Sequence, residues 1–335
     1  MPVSRIIGPN RFGTFAMSKT AFLFPGQGSQ YVGMGRDLYE RFPEARARFE
    51  AADAALGFPL TELMFGAGGD AEAEAEALKQ TDVTQPALYV HSLAATAVLE
   101  AHAFAPDVAA GHSLGEYSAL AAAGAITFED GLRLVRLRGR LMAEAGRQHP
   151  GTMAAILGMD DGDVERVCLE ASEDGQVVHA ANFNAPGQIV VSGDVRAVYR
   201  AIALAKERGA RRAVPLPVSG AFHSPLMDHA RDGLAHGLIH LDIRTPRCPV
   251  YLNVTAAPTT DPEEIRARLL DQLMAPVKWA QTLVRMREDG AARFVEVGAG
   301  RVLSGLVRRT LGRDVETAPA GTAEQLLALI AYQES

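Results

Sequence analysis

The sequence predicts an α/β protein in which a large domain is built on a parallel sheet and a small βαββαβ domain is inserted into it. Three short apolar runs, at residues 21–24, 108–110 and 293–297, are each followed by glycine and then by a helical pattern. A strand, a glycine turn and a helix in succession are typical of a parallel sheet, which binds its ligands at the carboxyl ends of the strands. We therefore expect the functional site near these glycine turns.

The middle of the chain has a different order of elements, and this order predicts the inserted domain. Patterns of strand, helix, strand, strand, helix and strand follow one another at residues 152–157, 160–172, 176–182, 188–192, 194–208 and 212–216. A turn at residues 184–187 joins the two middle strands, and the order is that of a ferredoxin-like unit. We predict a small domain over residues 149–226, a discontinuous large domain over residues 17–148 and 227–335, and a dispensable extension at residues 1–16.

The composition excludes several classes of protein. The 335 residues are 48% hydrophobic and 22% charged, as in a folded globular protein, and the net charge of −7 disfavours nucleic-acid binding. Cys168 and Cys248 lie too far apart in sequence to suggest a metal site, and they indicate reduced thiols in a cytoplasmic protein. The most apolar stretch, residues 87–105, is interrupted by His91 and Glu100, so no membrane span is predicted.

A serine lies on one of the glycine turns. Residues 111–115 fit the pattern G-x-S-x-G, with an apolar run before them and an alanine-rich helical pattern after them. This context is that of a nucleophile elbow, as in α/β-hydrolase-like folds, which presents the serine hydroxyl at the amino end of a helix. The alternative is that Ser113 caps the helix. The strand and helix on either side favour Ser113 as a nucleophile.

A nucleophilic serine needs a general base, and nine histidines compete for that role. His112 is adjacent to Ser113 in sequence, but neighbouring side chains on a tight turn usually diverge. His223 lies in a loop just after the last strand of the small domain, where the two domains meet and a cleft is expected. Spacing alone does not choose among the nine histidines.

An arginine lies on the apolar face of the helix predicted at residues 127–148. At about 100° per residue, Arg138 falls within a stripe of Leu134, Val135, Leu141 and Met142. The other arginines of the central part of this helix, at positions 133, 136 and 140, fall on the opposite, solvated side. A buried guanidinium needs an anion, which is either an internal carboxylate or a carboxylate of the substrate. The helical pattern leaves these two interpretations equally open.

Several separated motifs, taken together, resemble the malonyl-CoA:acyl carrier protein transacylases, the acyltransferases of fatty-acid synthesis. The resemblance covers nearly the whole chain from residue 19 onward. The motifs are FPGQGSQ at 24–30, GHSLGEYSAL at 111–120, RG at 138–139, NFN at 182–184, residues 215–223, Gln272 with PV at 276–277, and FVEVG at 294–298. We find no departure from the family at these positions.

The resemblance implies a set of catalytic roles. Ser113 would accept the malonyl group and His223 would be its base. The side chain of Gln27 and the backbone N–H of Leu114 would form the oxyanion hole. Gln272, counted with the residues around the substrate, would orient His223 through its backbone carbonyl in place of the acid of a usual triad.

The resemblance also implies how the substrate would be bound. Arg138 would pair with the free carboxylate of the malonyl group, and Asn182 and Asn184 would line the cleft. Phe222 resembles the residue of malonyl-selective members and would crowd the space that an α-methyl group needs. Because one methyl group is worth only about 1–3 kcal/mol, this selectivity would be finite.

The expected reaction is a ping-pong transfer from malonyl-CoA to the phosphopantetheine thiol of acyl carrier protein, by a cytoplasmic monomer without metal or other cofactor. The partners would be malonyl-CoA and acyl carrier protein, with no nucleic acid and no membrane. Alternatives are a serine hydrolase or thioesterase using the same turn, an acyltransferase of a polyketide pathway, and a non-catalytic subunit that binds acyl carrier protein.

Overall fold

The computed structural model describes residues 19–66, 68–218 and 220–333, so the extension predicted at residues 1–16 lies outside the described residues. The strands are β1 (Lys19–Phe24), β2 (Val108–Gly111), β3 (Gly151–Leu157), β4 (Val178–Ala185), β5 (Gln188–Asp194), β6 (Arg212–Pro215), β7 (Val250–Tyr251), β8 (Pro258–Thr259), β9 (Ala291–Val297) and β10 (Glu316–Ala320).

The α-helices are α1 (Arg36–Arg41), α2 (Pro43–Leu56), α3 (Leu60–Phe65), α4 (Ala71–Lys79), α5 (Thr81–Ala101), α6 (Gly115–Ala122), α7 (Phe128–Gln148), α8 (Asp161–Ala171), α9 (Val195–Glu207), α10 (Asp228–Ile239), α11 (Pro262–Asp271), α12 (Trp279–Glu288), α13 (Val302–Leu311) and α14 (Ala323–Gln333). Among the helices of the described residues, none is both long and apolar enough to cross a membrane.

The larger sheet confirms the predicted parallel architecture. Its strand order is β10-β9-β1-β2-β7-β8, and every neighbouring pair is parallel except β7 and β8. Parallel sheets are covered by helices on both faces, which explains why β2 and the last four residues of β1 are buried without alternation. β1 and β2 lie side by side at the centre, so the loops at their carboxyl ends meet.

The smaller sheet confirms the predicted βαββαβ unit. Its strand order is β4-β5-β3-β6 with all pairs antiparallel, and α8 and α9 complete an apolar core separate from that of the large sheet. The predicted turn at residues 184–187 is too long. β4 continues to Ala185, which pairs with Gln188, so Pro186 and Gly187 alone form the loop. Gly187 makes this tight hairpin possible because it adopts a φ of 65°.

The two sheets are joined by a short segment between α11 and α12. The Phe183 N–H donates to the Val277 carbonyl at 2.9 Å, and the Val277 N–H donates to the Ala181 carbonyl at 2.9 Å. Val277 therefore forms a parallel bridge with Asn182 at the edge of the small sheet. The candidate site lies beside this junction. The domain limits at residues 149 and 226 stay a prediction.

Helix α7 is amphipathic, as its sequence pattern predicts. It begins after Thr127, whose hydroxyl accepts a hydrogen bond from the Asp130 N–H at 3.1 Å. One arginine of the side predicted to be solvated is partly covered. Arg136 is half-buried because it pairs with Asp82 of α5 at 3.0 Å and lies over the ring of Phe58. Arg138 lies within the buried stripe.

Candidate active site

The turn that carries Ser113 connects β2 to α6 and is too tight for larger residues on either side. A Cβ atom on Gly111 would lie 1.8 Å from the Gly115 carbonyl carbon, and one on Gly115 would lie 2.0 Å from the Phe24 oxygen. Ser113 itself has a φ of 51°, in the left-handed region that non-glycine residues rarely adopt. The turn therefore stores backbone strain at Ser113, which lines the cleft.

His223 faces the hydroxyl of Ser113 from the loop after β6. Its Nε2 atom lies 2.7 Å from Ser113 Oγ, and its Nδ1 atom lies 2.8 Å from the backbone carbonyl of Gln272. A carbonyl oxygen only accepts hydrogen bonds, so Nδ1 carries the proton and Nε2 offers its lone pair to the hydroxyl. Burial, and then the charge of Arg138, lower the pKa of His223 to about 3. The imidazole is therefore a neutral base at physiological pH.

Arg138 is 1% exposed and reaches the same hydroxyl. Its Nη2 donates to Ser113 Oγ at 3.2 Å and to the Gln272 side-chain oxygen at 3.0 Å. Its Nη1 donates to the Gln85 side-chain oxygen at 2.8 Å, and the guanidinium lies over the ring of Tyr117. Within the described part of the chain, Arg138 Nε has no hydrogen-bond partner and no carboxylate forms an ion pair with the guanidinium.

The carboxyl group that influences Arg138 is that of Glu116, on the first turn of α6. Glu116 is fully buried, and burial raises its pKa to about 8. Among the described residues, this carboxyl group forms no hydrogen bond or ion pair with the Arg138 guanidinium. A buried cation without an anionic partner in contact with it is costly.

Two groups near Ser113 have free hydrogen-bond donors. No hydrogen bond between described residues uses the Leu114 N–H, which lies at the start of α6 just after Ser113. Gln27, in the loop that follows β1, is half-buried, and no hydrogen bond between described residues uses its side-chain amide. Both residues line the cavity that contains Ser113 and His223. An anion that formed beside Ser113 would lie near these donors.

A cavity of about 550 Å³ lies between the two sheets and contains the site. Phe222, which is 6% exposed, lines this cavity together with Asn182 and Asn184 of the small domain. Asn184 Oδ1 also lies 2.7 Å from Nε2 of His112, so the second candidate histidine turns away from Ser113 and toward β4. The side chains of His112 and Ser113 thus diverge on the tight turn, and His223 is the histidine that faces the serine hydroxyl.

Gln272 corrects one expectation, because it does not contact the cleft. It is fully buried, directly after α11, and lies behind Arg138 and His223. Its carbonyl accepts from His223, its side-chain oxygen accepts from Arg138, and its side-chain nitrogen donates to the Ser113 carbonyl at 3.1 Å. One residue thus connects three candidate site residues without contact with the cavity.

Two buried polar residues around the site were not among those that the sequence predicted. Gln85 supports Arg138 from α5, and Asn253 bonds to the Ser113 turn from the loop after β7. The sequence pattern could have indicated Gln85, because this polar residue directly precedes the apolar run from Pro86 to Val90 in α5. No such pattern indicates Asn253, because an isolated asparagine in a loop is common.

The described residues contain no group of three or more histidine, cysteine, aspartate or glutamate side chains arranged to hold a metal ion. Cys168 and Cys248 are both unpaired and buried. Burial raises the pKa of the Cys168 thiol to about 12 and that of the Cys248 thiol to about 11, so neither is a thiolate at neutral pH. Neither thiol lines the cavity that contains Ser113.

The chain is similar to known acyltransferases over nearly its whole length. The family model described as acyl transferase domain matches residues 21–326. The malonyl CoA-acyl carrier protein transacylase of Bacillus subtilis is 46% identical over 293 residues, which are 88% of this chain and 90% of that protein. The structure of the malonyl CoA-acyl carrier protein transacylase from Coxiella burnetii is 39% identical, with a TM-score of 0.87 over 94% of this chain and 97% of that one.

A further solved structure holds a malonyl-transacylase in complex with a type II PKS acyl-carrier protein. It is 40% identical, with a TM-score of 0.88, and it covers 94% of this chain and 100% of that one. The family match, the identities and the shared fold agree with the geometry of a serine, a histidine and an arginine in one cleft. The chain belongs to the acyl transferase family.

Proposed function

We propose that this protein transfers the malonyl group from malonyl-CoA to the phosphopantetheine thiol of acyl carrier protein, through an ester on Ser113. The observation that carries the proposal is the position of Arg138. It is a buried guanidinium without a carboxylate partner among the described residues, and it lies within hydrogen-bond distance of a serine hydroxyl paired with a neutral histidine. A substrate with a thioester and a carboxylate uses all three groups.

The first half-reaction makes the acyl-enzyme. His223 Nε2 takes the proton of the Ser113 hydroxyl while Oγ attacks the thioester carbonyl. The Leu114 N–H and the Gln27 side chain stabilise the negative charge on the tetrahedral oxygen. When the carbon–sulfur bond breaks, the thiol of coenzyme A leaves with the proton from His223. The proton balance of the histidine is thus restored before the carrier protein reacts.

The second half-reaction reverses these steps with a different thiol. The phosphopantetheine thiol of the carrier gives its proton to His223 Nε2 and attacks the ester carbonyl on Ser113. The serine oxygen leaves and takes that proton back. The same oxyanion donors serve both half-reactions, because the tetrahedral carbon occupies the same place. No step uses a metal or another cofactor.

Arg138 would hold the malonyl carboxylate throughout. The Nε–H and Nη2–H groups share one edge of the guanidinium, and a carboxylate accepts from such an edge with both oxygens. Nε has no partner in the described structure, and Nη2 is shared between Ser113 and Gln272. A bound carboxylate would satisfy Nε and neutralise the buried charge. The free enzyme is thus prepared for an acyl group that ends in an anion.

Two further candidates use the same geometry. Transfer to a carrier of a polyketide pathway is supported by the related transacylase solved with a type II PKS acyl-carrier protein. A hydrolase or thioesterase is disfavoured because it has no need of an uncompensated cation beside its nucleophile. We also propose that the protein acts as a monomer in the cytoplasm.

Mass spectrometry of the intact protein after incubation with malonyl-CoA tests the proposed function. We expect one malonyl adduct, mapped to Ser113, that is absent in Ser113→Ala. Ser118→Ala is the matched control, because Ser118 is a buried serine on the following helix whose hydroxyl has no partner among the described residues. It should be acylated like the wild type.

Addition of carrier protein then separates the candidates. We expect malonyl carrier protein as the main product. Free malonate as the main product would make the protein a hydrolase, and an adduct on another residue would overturn the assignment of Ser113. A protein that gains no adduct at all would be the non-catalytic, carrier-binding subunit.

A further inference from the structure

We propose that Asn253 is a positioning residue that holds Ser113 in its strained backbone conformation. This inference rests on the proposed function in one respect, namely that Ser113 is the nucleophile. Asn253 follows β7 and is fully buried, 140 residues along the chain from Ser113. It touches the turn through its side-chain amide and lies outside the lining of the substrate cavity.

The amide of Asn253 bridges the two ends of the turn. Its Oδ1 atom accepts a hydrogen bond from the Ser113 N–H at 2.7 Å, and its Nδ2 donates to the Gly111 carbonyl at 2.7 Å. Gly111 is the last residue of β2, and Ser113 lies two residues before Gly115, the first residue of α6. The amide therefore holds together residues 111–113, the segment in which the chain leaves β2 before α6 begins. We call this pair of hydrogen bonds the clamp.

The turn needs such a clamp because of the conformation of Ser113. A φ of 51° is adopted readily by glycine and rarely by other residues, but a nucleophile needs a side chain. A strained residue persists only where its surroundings over-determine it. A side-chain amide is suited to this task because one end accepts while the other donates.

Asn253 is itself fixed by the helix that the turn begins. Its backbone N–H donates to Glu116 Oε2 at 2.6 Å, and its carbonyl accepts from the Lys278 N–H at 3.0 Å. Glu116 lies three residues after Ser113 on α6. Turn, amide and helix therefore form a closed, buried circuit of hydrogen bonds.

The clamp also affects the oxyanion hole. Because the Ser113 N–H is bonded to Asn253, it is not available to a developing oxyanion. The Leu114 N–H is the backbone donor that remains on this side of the turn. Asn253 thus both fixes the serine and determines which amide faces the reacting carbonyl.

The substitution Asn253→Asp tests the clamp with the smallest change of shape. Aspartate keeps an acceptor for the Ser113 N–H but places an oxygen against the Gly111 carbonyl, where a donor is required. We expect the single-turnover rate of Ser113 acylation to fall by roughly 100-fold, the loss that a misplacement of about 1 Å can cause. The KM for malonyl-CoA and the ratio of malonyl to acetyl loading should stay within about twofold, because the Arg138 contacts are unchanged.

Thr259→Val is the matched control. Thr259 is also buried, belongs to the β7–β8 hairpin, and bonds through its hydroxyl to the Asp261 N–H rather than to the turn. It should lower the thermal stability without a selective loss of acylation. Equal losses of acylation in the two variants, or a folded Asn253→Asp protein within about twofold of the wild-type rate, would overturn the proposal.

A measurement on the wild-type protein keeps the proposal testable if the Asn253 variants do not fold. The Ser113 amide proton should exchange slowly with solvent, as followed by NMR, because it is held in a short, buried hydrogen bond. Fast exchange in the folded enzyme would refute the clamp. Acylation of wild-type Ser113 tests the proposed function separately, so failure of the clamp leaves that function standing.

Discussion

The guanidinium of Arg138 donates a hydrogen bond to Oγ of Ser113 at a distance of 3.2 Å. A cation so close to a hydroxyl favours its deprotonated form, especially in a buried site where charges are poorly screened. The residue proposed to read the substrate carboxylate therefore also contacts the nucleophile. Occupation of Arg138 by a carboxylate and activation of Ser113 are coupled through a single side chain.

Replacement of Arg138 by alanine should convert the enzyme from a malonyl-selective to an unselective transferase. Loss of a charged hydrogen bond from a buried site costs about 2–5 kcal/mol, so malonyl loading of Ser113 should fall steeply. Acetyl loading should fall much less than malonyl loading, because acetyl has no carboxylate and is affected only by the loss of the contact between the guanidinium and Ser113 Oγ. Arg138→Lys should recover only part of the malonyl rate, since lysine lacks the planar fork.

The measurement is the ratio of malonyl to acetyl loading on Ser113. Arg136→Ala serves as the control, because Arg136 lies on the same helix but pairs with Asp82 away from the cavity. An unchanged ratio in a folded Arg138→Ala protein would make Arg138 a structural residue. The proposed substrate would then lose its main support.

Replacement of His223 by alanine should slow acylation by a factor of roughly 100 to 10,000, the usual contribution of a general base. Nε2 of His223 lies within hydrogen-bond distance of Ser113 Oγ, so this histidine is placed to accept the serine proton. Burst kinetics with malonyl-CoA would give the rate. His112→Ala should be affected far less, because the His112 ring bonds to Asn184; the reverse order of the two variants would mean that the base had been misidentified.

The rate of acylation should not show the fall at acidic pH that protonation of a histidine of ordinary pKa would cause. Burial lowers the pKa of His223 to about 3, and the neutral form is the one that accepts the serine proton. The value of kcat/KM for malonyl-CoA should therefore not fall as the pH is lowered through 6.5, the ordinary pKa of histidine. A decline centred near pH 6.5 that disappears in His223→Ala would contradict this prediction.

Replacement of Phe222 by alanine should admit an α-methyl group. Phe222 lines the cavity next to His223. Removal of its ring should lower the discrimination against a methyl substituent by about 1–3 kcal/mol. Competition between methylmalonyl-CoA and malonyl-CoA, read as the two adducts on Ser113, measures the change. Tyr199→Ala removes an exposed aromatic ring of α9 and should leave the ratio unaltered.

The sequence predicted those parts of the fold and site that depend on local patterns. Apolar runs ending in glycine located β1, β2 and β9, and the spacing of Gly111 and Gly115 around Ser113 predicted the tight turn. The helical period placed Arg138 in the buried stripe. Each of these features is determined by residues within about one turn or strand of one another.

Features that depend on distant contacts could not be predicted in this way. His223 is 110 residues from Ser113, and its orientation comes from a backbone carbonyl, which every residue possesses. Arg136 was expected in solvent, but Asp82 and Phe58 of other segments cover it. The position of Asn253 likewise depends on how β7 pairs with β2, which no local pattern reveals.

The bridge between Val277 and the edge of the small sheet has a consequence for protein engineering. Val277 lies five residues after Gln272, whose carbonyl orients His223. Exchange of the small domain between relatives should therefore shift the segment around Gln272. The orientation of the His223 imidazole would then change together with the residues that line the cleft. Chimeras that take residues 272–277 and residues 151–215 from the same parent should preserve the orientation of His223. Exchange of the inserted domain alone should not.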